Sequence, residues 1–142
     1  MLSKIDHVGI AVRNLDKALE DYRNLYGVVP LKIETLPEIS VRMAFIKVGE
    51  VLVELLEPTE LGAGRIGKFL DEKGEGFHHM AYRVENLDKI LERLNAMNVP
   101  LRDRVPRNGG DNSRIAFIEP RVTHKVLTEL VEREKDIEGD EG

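Results

Sequence analysis

Two histidines and two glutamates in this chain recur at matching places. His7 opens an apolar, β-branched run, and His79 opens a similar run 72 residues later. Glu54 lies inside Val51-Leu52-Val53-Glu54-Leu55, and Glu129 lies inside Val126-Leu127-Thr128-Glu129-Leu130, 75 residues later. Alternate side chains of a strand share a face, which groups Leu52, Glu54 and Leu56, and likewise Leu127, Glu129 and Val131. A carboxylate on an apolar face is costly unless it is paired or binds a metal. Two imidazoles with two carboxylates suit a borderline divalent ion such as Co²⁺, Ni²⁺, Zn²⁺ or Fe²⁺. Four protein donors would leave octahedral positions for substrate or water. Taken singly, a strand histidine is more often a satisfied core residue and a strand glutamate an edge charge; duplication of both types shifts the balance toward a metal site. His78 adjoins His79 and points to the opposite face. The Met80-Ala81 context, matching Val8-Gly9, selects His79 as the ligand. His124 falls in a turn and is expected in solvent.

The duplication extends beyond these residues. Asn14-Leu15-Asp16-Lys17 returns as Asn86-Leu87-Asp88-Lys89, and Arg42-Met43-Ala44-Phe45-Ile46 as Arg114-Ile115-Ala116-Phe117-Ile118. Pro30-Leu31 and Pro100-Leu101 form a further pair. Collinear matches of this kind indicate an internal repeat. Each copy has the pattern strand, helix, three strands, which makes the fold class α+β with two tandem βαβββ modules at about residues 4–60 and 76–133.

Within copy one, strands are expected at Ile5–Val12, Val28–Thr35, Val41–Val48 and Val51–Glu57. Leu15, Ala18, Leu19, Tyr22, Leu25 and Tyr26 have helical spacing, with Asn14 or Asp16 as cap and Gly27 as terminator. Gly49-Glu50 fits a two-residue hairpin turn. Copy two gives Phe77–Val84, a helix over Leu87–Met97, then Leu101–Val105, Arg114–Ile118 and Lys125–Glu132, with a loop at Arg107–Asn112. The linker 61–75 holds a short helix with Ile66, Phe69 and Leu70 inward. The acidic tail, residues 134–142, is expected to be disordered.

Composition narrows the function. The 142 residues carry a net charge of −5, which argues against a nucleic-acid binder, because that function needs a dominant basic patch. With no cysteine there are no disulfides, thiolate metal sites or cysteine nucleophiles. No apolar run reaches the roughly 18 residues of a membrane span, and the N-terminus has no apolar stretch of signal-peptide length before Asp6. A cytoplasmic location is the expectation. Arg42 and Arg114 could neutralise an anionic substrate, but salt bridges on an exposed face are the preferred reading. Arg102, Arg104 and Arg107 could touch phosphates, although Arg102 and Arg104 alternate as on the wet face of an edge strand. Gly74-Glu75-Gly76 lacks the strand–helix setting of a phosphate loop.

Three stretches carry a family resemblance: Ile5-Asp6-His7-Val8-Gly9-Ile10-Ala11-Val12, Val53-Glu54-Leu55-Leu56-Glu57-Pro58 and Gly76-Phe77-His78-His79-Met80-Ala81-Tyr82. Over about residues 4–133 the chain resembles the vicinal-oxygen-chelate, or glyoxalase-like, superfamily, and within it looks most like the methylmalonyl-CoA epimerase family. The resemblance implies curled mixed sheets around a divalent metal, Co²⁺ ahead of Zn²⁺, Ni²⁺ or Mn²⁺. The implied ligands are His7, Glu54, His79 and Glu129. It further implies a homodimer acting on an acyl-CoA thioester, which interconverts C2 epimers through a metal-stabilised enolate. Glu129 would be one acid/base. The family's second carboxylate, on the third strand of the first module, has no counterpart in Ile39-Ser40-Val41-Arg42-Met43-Ala44. Glu38 is the nearest acid, and Glu54 is the expected substitute. The runner-up is the glyoxalase I (lactoylglutathione lyase) family. A metal-free binding protein of the same fold is a third reading, from a different functional class.

Overall fold

The structure is a computed structural model that describes residues 1–137. Its elements run β1 (Leu2–Ala11), α1 (Leu15–Tyr26), β2 (Lys32–Leu36), β3 (Val41–Val48), β4 (Val51–Pro58), α2 (Gly64–Lys73), β5 (Gly76–Val84), α3 (Leu87–Ala96), β6 (Arg107–Asn108), β7 (Arg114–Ile118) and β8 (Thr128–Glu132). The fold is α+β. The chain divides into two compact units, and the division does not follow the repeat boundaries expected from the sequence. One unit holds residues 1–7 with 79–136, and the other holds 8–78 with the chain from Ile137. The cuts fall inside β1 and β5, so the opening half of β1 packs with the second copy of the repeat.

In the unit containing residues 8–78, strands are ordered β2-β3-β4-β1. β3 and β4 form an antiparallel hairpin across the Gly49-Glu50 turn, with Phe45 opposite Glu54. One face carries α1. Leu15, with Ala18, Leu19 and Tyr22 of the helix, packs on Ala44, Ile46 and Leu55. The other face presents Met43, Phe45, Leu52 and Leu56, covered by Ile66 and Leu70 of α2. This is how alternation along β3 and β4 divides inward groups between two helical layers, leaving Glu54 on the same face as Leu52 and Leu56. Each fully buried aliphatic side chain contributes roughly 1.5–3 kcal/mol. The linker is not a mere tether, because α2 is part of this core. Within it the turn at Gly62 lies so close to the helix that a Cβ on Gly67 would be 2.4 Å from the Gly62 carbonyl carbon.

In the other unit the order is β1-β5-β8-β7-β6. β5 and β8 run parallel, with Ala81 beside Glu129, whereas β7 and β8 are antiparallel, with Phe117 opposite Glu129. Leu87, Ile90 and Leu91 of α3 pack on Ala116 and Leu130. The opposite face carries Ala81, Ile115, Phe117 and Val131.

The repeat is visible in polar detail. Asn14 and Asn86 cap α1 and α3 by accepting from Lys17 N and Lys89 N. Glu57 accepts from Leu15 N at 2.6 Å, and Glu132 from Leu87 N at 2.8 Å. Each carboxylate satisfies an orphan amide at the positive end of a helix. Arg42 bridges Asp16 and Glu57, and Arg114 bridges Asp88 and Glu132. The duplicated arginines therefore tie strand, helix start and capping carboxylate together, as the salt-bridge reading expects.

Several expected boundaries shift. The strand expected at Leu101–Val105 reduces to a single bridge from Leu101 to Ile118, and pairing resumes only at β6. Asp103 causes the break: its carboxylate accepts from Phe117 N at 2.8 Å, where a continuous strand would offer a carbonyl. Arg107 in turn donates to Asp103 at 3.1 Å. The last strand starts at Thr128 rather than Lys125, since His124 and Lys125 have φ of 57° and 70° and shape a turn. The expected disordered tail begins too early: Asp136 pairs with Arg83, and Ile137, 7% exposed, joins the core beside Met43 and Leu56. The rest of that expectation, residues 138–142, lies outside the described residues. No helix among the described residues is long and apolar enough to cross a membrane.

Candidate metal centre

β1, β5 and β8 bring three of the expected ligands together within one unit. His7, His79 and Glu129 are all buried, at 2%, 4% and 4% exposure. His7 Nε2 lies 3.0 Å from His79 Nε2 and 3.1 Å from Glu129 Oε1, and His79 Nε2 lies 3.8 Å from Glu129 Oε2. The parallel pairing of β5 with β8 sets this arrangement, because it places Ala81 beside Glu129 and so brings the opening of β5 near the carboxylate. The His79 ring is steadied by an edge contact with Phe117, centroids 5.4 Å apart.

These distances fit a divalent ion. At metal–nitrogen and metal–oxygen lengths of about 2.0–2.1 Å, donors at right angles stand about 3.0 Å apart and tetrahedral donors about 3.4 Å. The edges from His7 Nε2 to the other two residues, 3.0 and 3.1 Å, correspond to the right-angled spacing. The donor set, imidazole nitrogen with carboxylate oxygen, is the chemistry such ions take.

Glu54 sits on β4 in the other unit, 5% exposed, opposite Phe45 and on the face of Leu52 and Leu56. His78 takes a different role. Its ring meets Phe69 of α2 edge-on, centroids 4.9 Å apart. Met43 is 5% exposed inside the apolar cluster, and Glu38 is exposed in the short turn Pro37–Ile39. His124 is exposed.

One group at the site was absent from the sequence reading. Asp6 is buried behind His7, with Oδ1 2.7 Å from His7 Nδ1. Arg83 and Arg133 both donate to its carboxylate. Burial acts to raise the Asp6 pKa, but hydrogen bonds from His7 and Arg133 outweigh it and hold the carboxyl far below the ordinary 3.8. Glu129 is similar: burial acts to raise it, and the charge and hydrogen bond of His7 hold it below 4.5. The available signal for Asp6 was an acid inside an otherwise apolar strand, immediately before the candidate ligand.

Two sheet units that carry buried histidines and carboxylates on their strands define a class. Residues 6–117 match the Glyoxalase/Bleomycin resistance protein/Dioxygenase superfamily, and the chain belongs to it. Among its relatives, the Bacillus subtilis protein YqjC is 40% identical over 135 residues, covering 95% of this chain and 96% of YqjC. The human mitochondrial methylmalonyl-CoA epimerase is 29% identical over 129 residues, covering 91% of this chain and 73% of that one. A solved structure of a Streptomyces coelicolor methylmalonyl-CoA epimerase variant, in complex with 2-nitronate-propionyl-CoA, superposes with a TM-score of 0.89 at 37% identity, covering 95% of this chain and all of that one.

Proposed function

We propose that this protein interconverts the C2 epimers of methylmalonyl-CoA, with a divalent ion held by His7, His79, Glu129 and Glu54. The observation that carries the reading is the convergence of three buried donors, with His7 Nε2 at right-angled ligand spacing from His79 Nε2 and from Glu129 Oε1. Similarity to epimerases over nearly the whole chain supports the substrate class, an acyl-CoA thioester. Support for Glu54 is its burial and its place in the repeat, where it is the counterpart of Glu129. A homodimer is part of the proposal, by family likeness.

The bound ion would supply Lewis-acid stabilisation of negative charge on the thioester oxygen. The chain's own residues handle the proton. Glu129, held as carboxylate beside His7, removes the C2 hydrogen through a carboxylate oxygen and can return it there. Epimerisation needs a second group on the other side of C2, within hydrogen-bond reach of the carbon. Met43 has no proton to exchange, and Glu38 lies exposed in its turn. Glu54 is the buried carboxylate of its unit's apolar face and takes that role. The apolar neighbours Phe117, Ile115 and Val131 line the Glu129 face and limit competing water.

The test is direct. A single C2 epimer of methylmalonyl-CoA, incubated with Co²⁺-loaded protein, should relax to the epimeric mixture. Retention of configuration in fully loaded protein would reject the activity.

A further inference from the structure

The three side chains around Asp6 have a directional consequence. Its side chain is fully shielded, and that of Arg133 is 3% exposed. Oδ2 accepts from Arg83 Nε at 2.9 Å and from Arg133 Nε at 3.0 Å. Oδ1 accepts from Arg133 Nη2 at 3.1 Å and faces His7 Nδ1 at 2.7 Å. Guanidinium groups donate and never accept, so two of them fix Asp6 as an ionised carboxylate that can only accept. A nitrogen 2.7 Å from such an oxygen must carry a proton. Nε2, which is turned to His79 and Glu129, is then the nitrogen left to give up its proton and bind a metal ion.

We infer that Asp6, clamped by Arg83 and Arg133, is a positioning residue that keeps the His7 proton on Nδ1 and presents the Nε2 lone pair to a metal ion. The metal part of this inference rests on the proposed function. The clamp serves one histidine of the pair, since the repeat counterpart of Asp6 is His78, whose ring lies on Phe69. Arg133 follows β8 directly and also donates to the Gly110 carbonyl at 3.2 Å. Arg83 at its other end holds Asp136. The strand that carries Glu129 is thereby tied to the proton position on His7.

Asp6→Asn tests this sharply. The amide oxygen is drawn to the Oδ2 place, where two arginines donate, and the NH₂ falls at the Oδ1 place facing His7. It donates to Nδ1 and drives the imidazole proton to Nε2. Two readouts follow: the nitrogen-15 spectrum of His7 in metal-free protein, and calorimetric titration with Co²⁺. Once its ring is neutral, His7 of wild type should show the Nδ1–H form. Asp6→Asn should show the Nε2–H form, with Co²⁺ affinity lower by about 10–100-fold, the usual effect of losing a partner behind a metal-binding histidine. Arg133→Lys, which keeps a charge beside Asp6, should retain the Nδ1–H form. An Nε2–H form in wild type overturns the inference even if Asp6→Asn does not fold. Folded Asp6→Asn with an unchanged tautomer, or with wild-type Co²⁺ affinity, overturns it as well. Wild type that binds no Co²⁺ while showing Nδ1–H rejects the metal reading of the proposed function and leaves the tautomer assignment standing.

Discussion

Replacing each of two neighbouring histidines separates ligation from packing. His78 and His79 both make an edge contact with a phenylalanine, at centroid distances of 4.9 Å to Phe69 and 5.4 Å to Phe117. Truncating either ring to alanine removes one such contact, worth about 0.5–1.5 kcal/mol beyond area burial. The losses of ring contact are therefore comparable, and a difference in metal binding isolates the nitrogen that faces His7 and Glu129. Binding at four-donor sites of this kind is worth about 10–16 kcal/mol, so one donor carries on the order of 2.5–4 kcal/mol, or about 10²–10³ in affinity. His79→Ala should lose that factor in Co²⁺ titration, and His78→Ala should stay within about threefold of wild type. Denaturant unfolding of the metal-free proteins measures the packing loss of each, which is expected to be larger for the buried His79. Equal Co²⁺ affinities for the two variants would refute the ligand assignment, and equal losses would show that the region acts only through packing.

The helix starts give a second prediction. Glu57 and Glu132 each accept from a helix N-terminal amide while partly exposed, at 21% and 24% of side-chain area. Discounting a charged hydrogen bond for that exposure leaves about 1–2 kcal/mol each, so Glu57→Ala and Glu132→Ala should lower Tm by several degrees, and Gln at either position should recover part of the loss. A third concerns acid. The hydrogen bond from Arg114 holds the Asp88 carboxyl below its ordinary 3.8. That contribution is present above about pH 3.8 and is lost as pH falls further. The stability difference between wild type and Asp88→Asn should be flat at neutral pH and should close in acid; a gap that widens on acidification would contradict the pairing. A fourth concerns Glu54→Gln at metal saturation. Loss of about 10²–10⁴ in turnover is expected of a proton-transfer group, whereas near-normal turnover would restrict Glu54 to metal binding.

Where local chemistry dominates, the fold was readable from sequence. β3 and β7 begin and end at the expected residues, and α1 has Asn14, one of the two expected caps, and the expected Gly27 terminator, the latter at φ 71°. The repeat also singled out His7, His79 and Glu129, whose ligand atoms lie 3.0–3.8 Å apart. The misses have non-local causes. The gap before β6 arises because the Asp103 side chain takes the Phe117 N–H of β7 in place of a backbone carbonyl of its own segment. Asp6 gains its role from Arg83 and Arg133, which are 77 and 127 residues away, so no spacing rule would have joined them. Ile137 reads as tail by composition, yet the apolar cluster around Met43 offers it a place to bury.

Proton exchange at C2 tests the central claim most directly. Co²⁺-loaded protein and one epimer of methylmalonyl-CoA are incubated in deuterated water, and the acyl-CoA is followed by mass and by proton spectra. The account predicts one deuterium entering C2, an unchanged carbon skeleton, and no exchange once the metal is removed. A fully loaded protein that leaves C2 unlabelled while turning over the glutathione hemithioacetal of methylglyoxal would contradict it and assign the site to the lactoylglutathione lyase reaction.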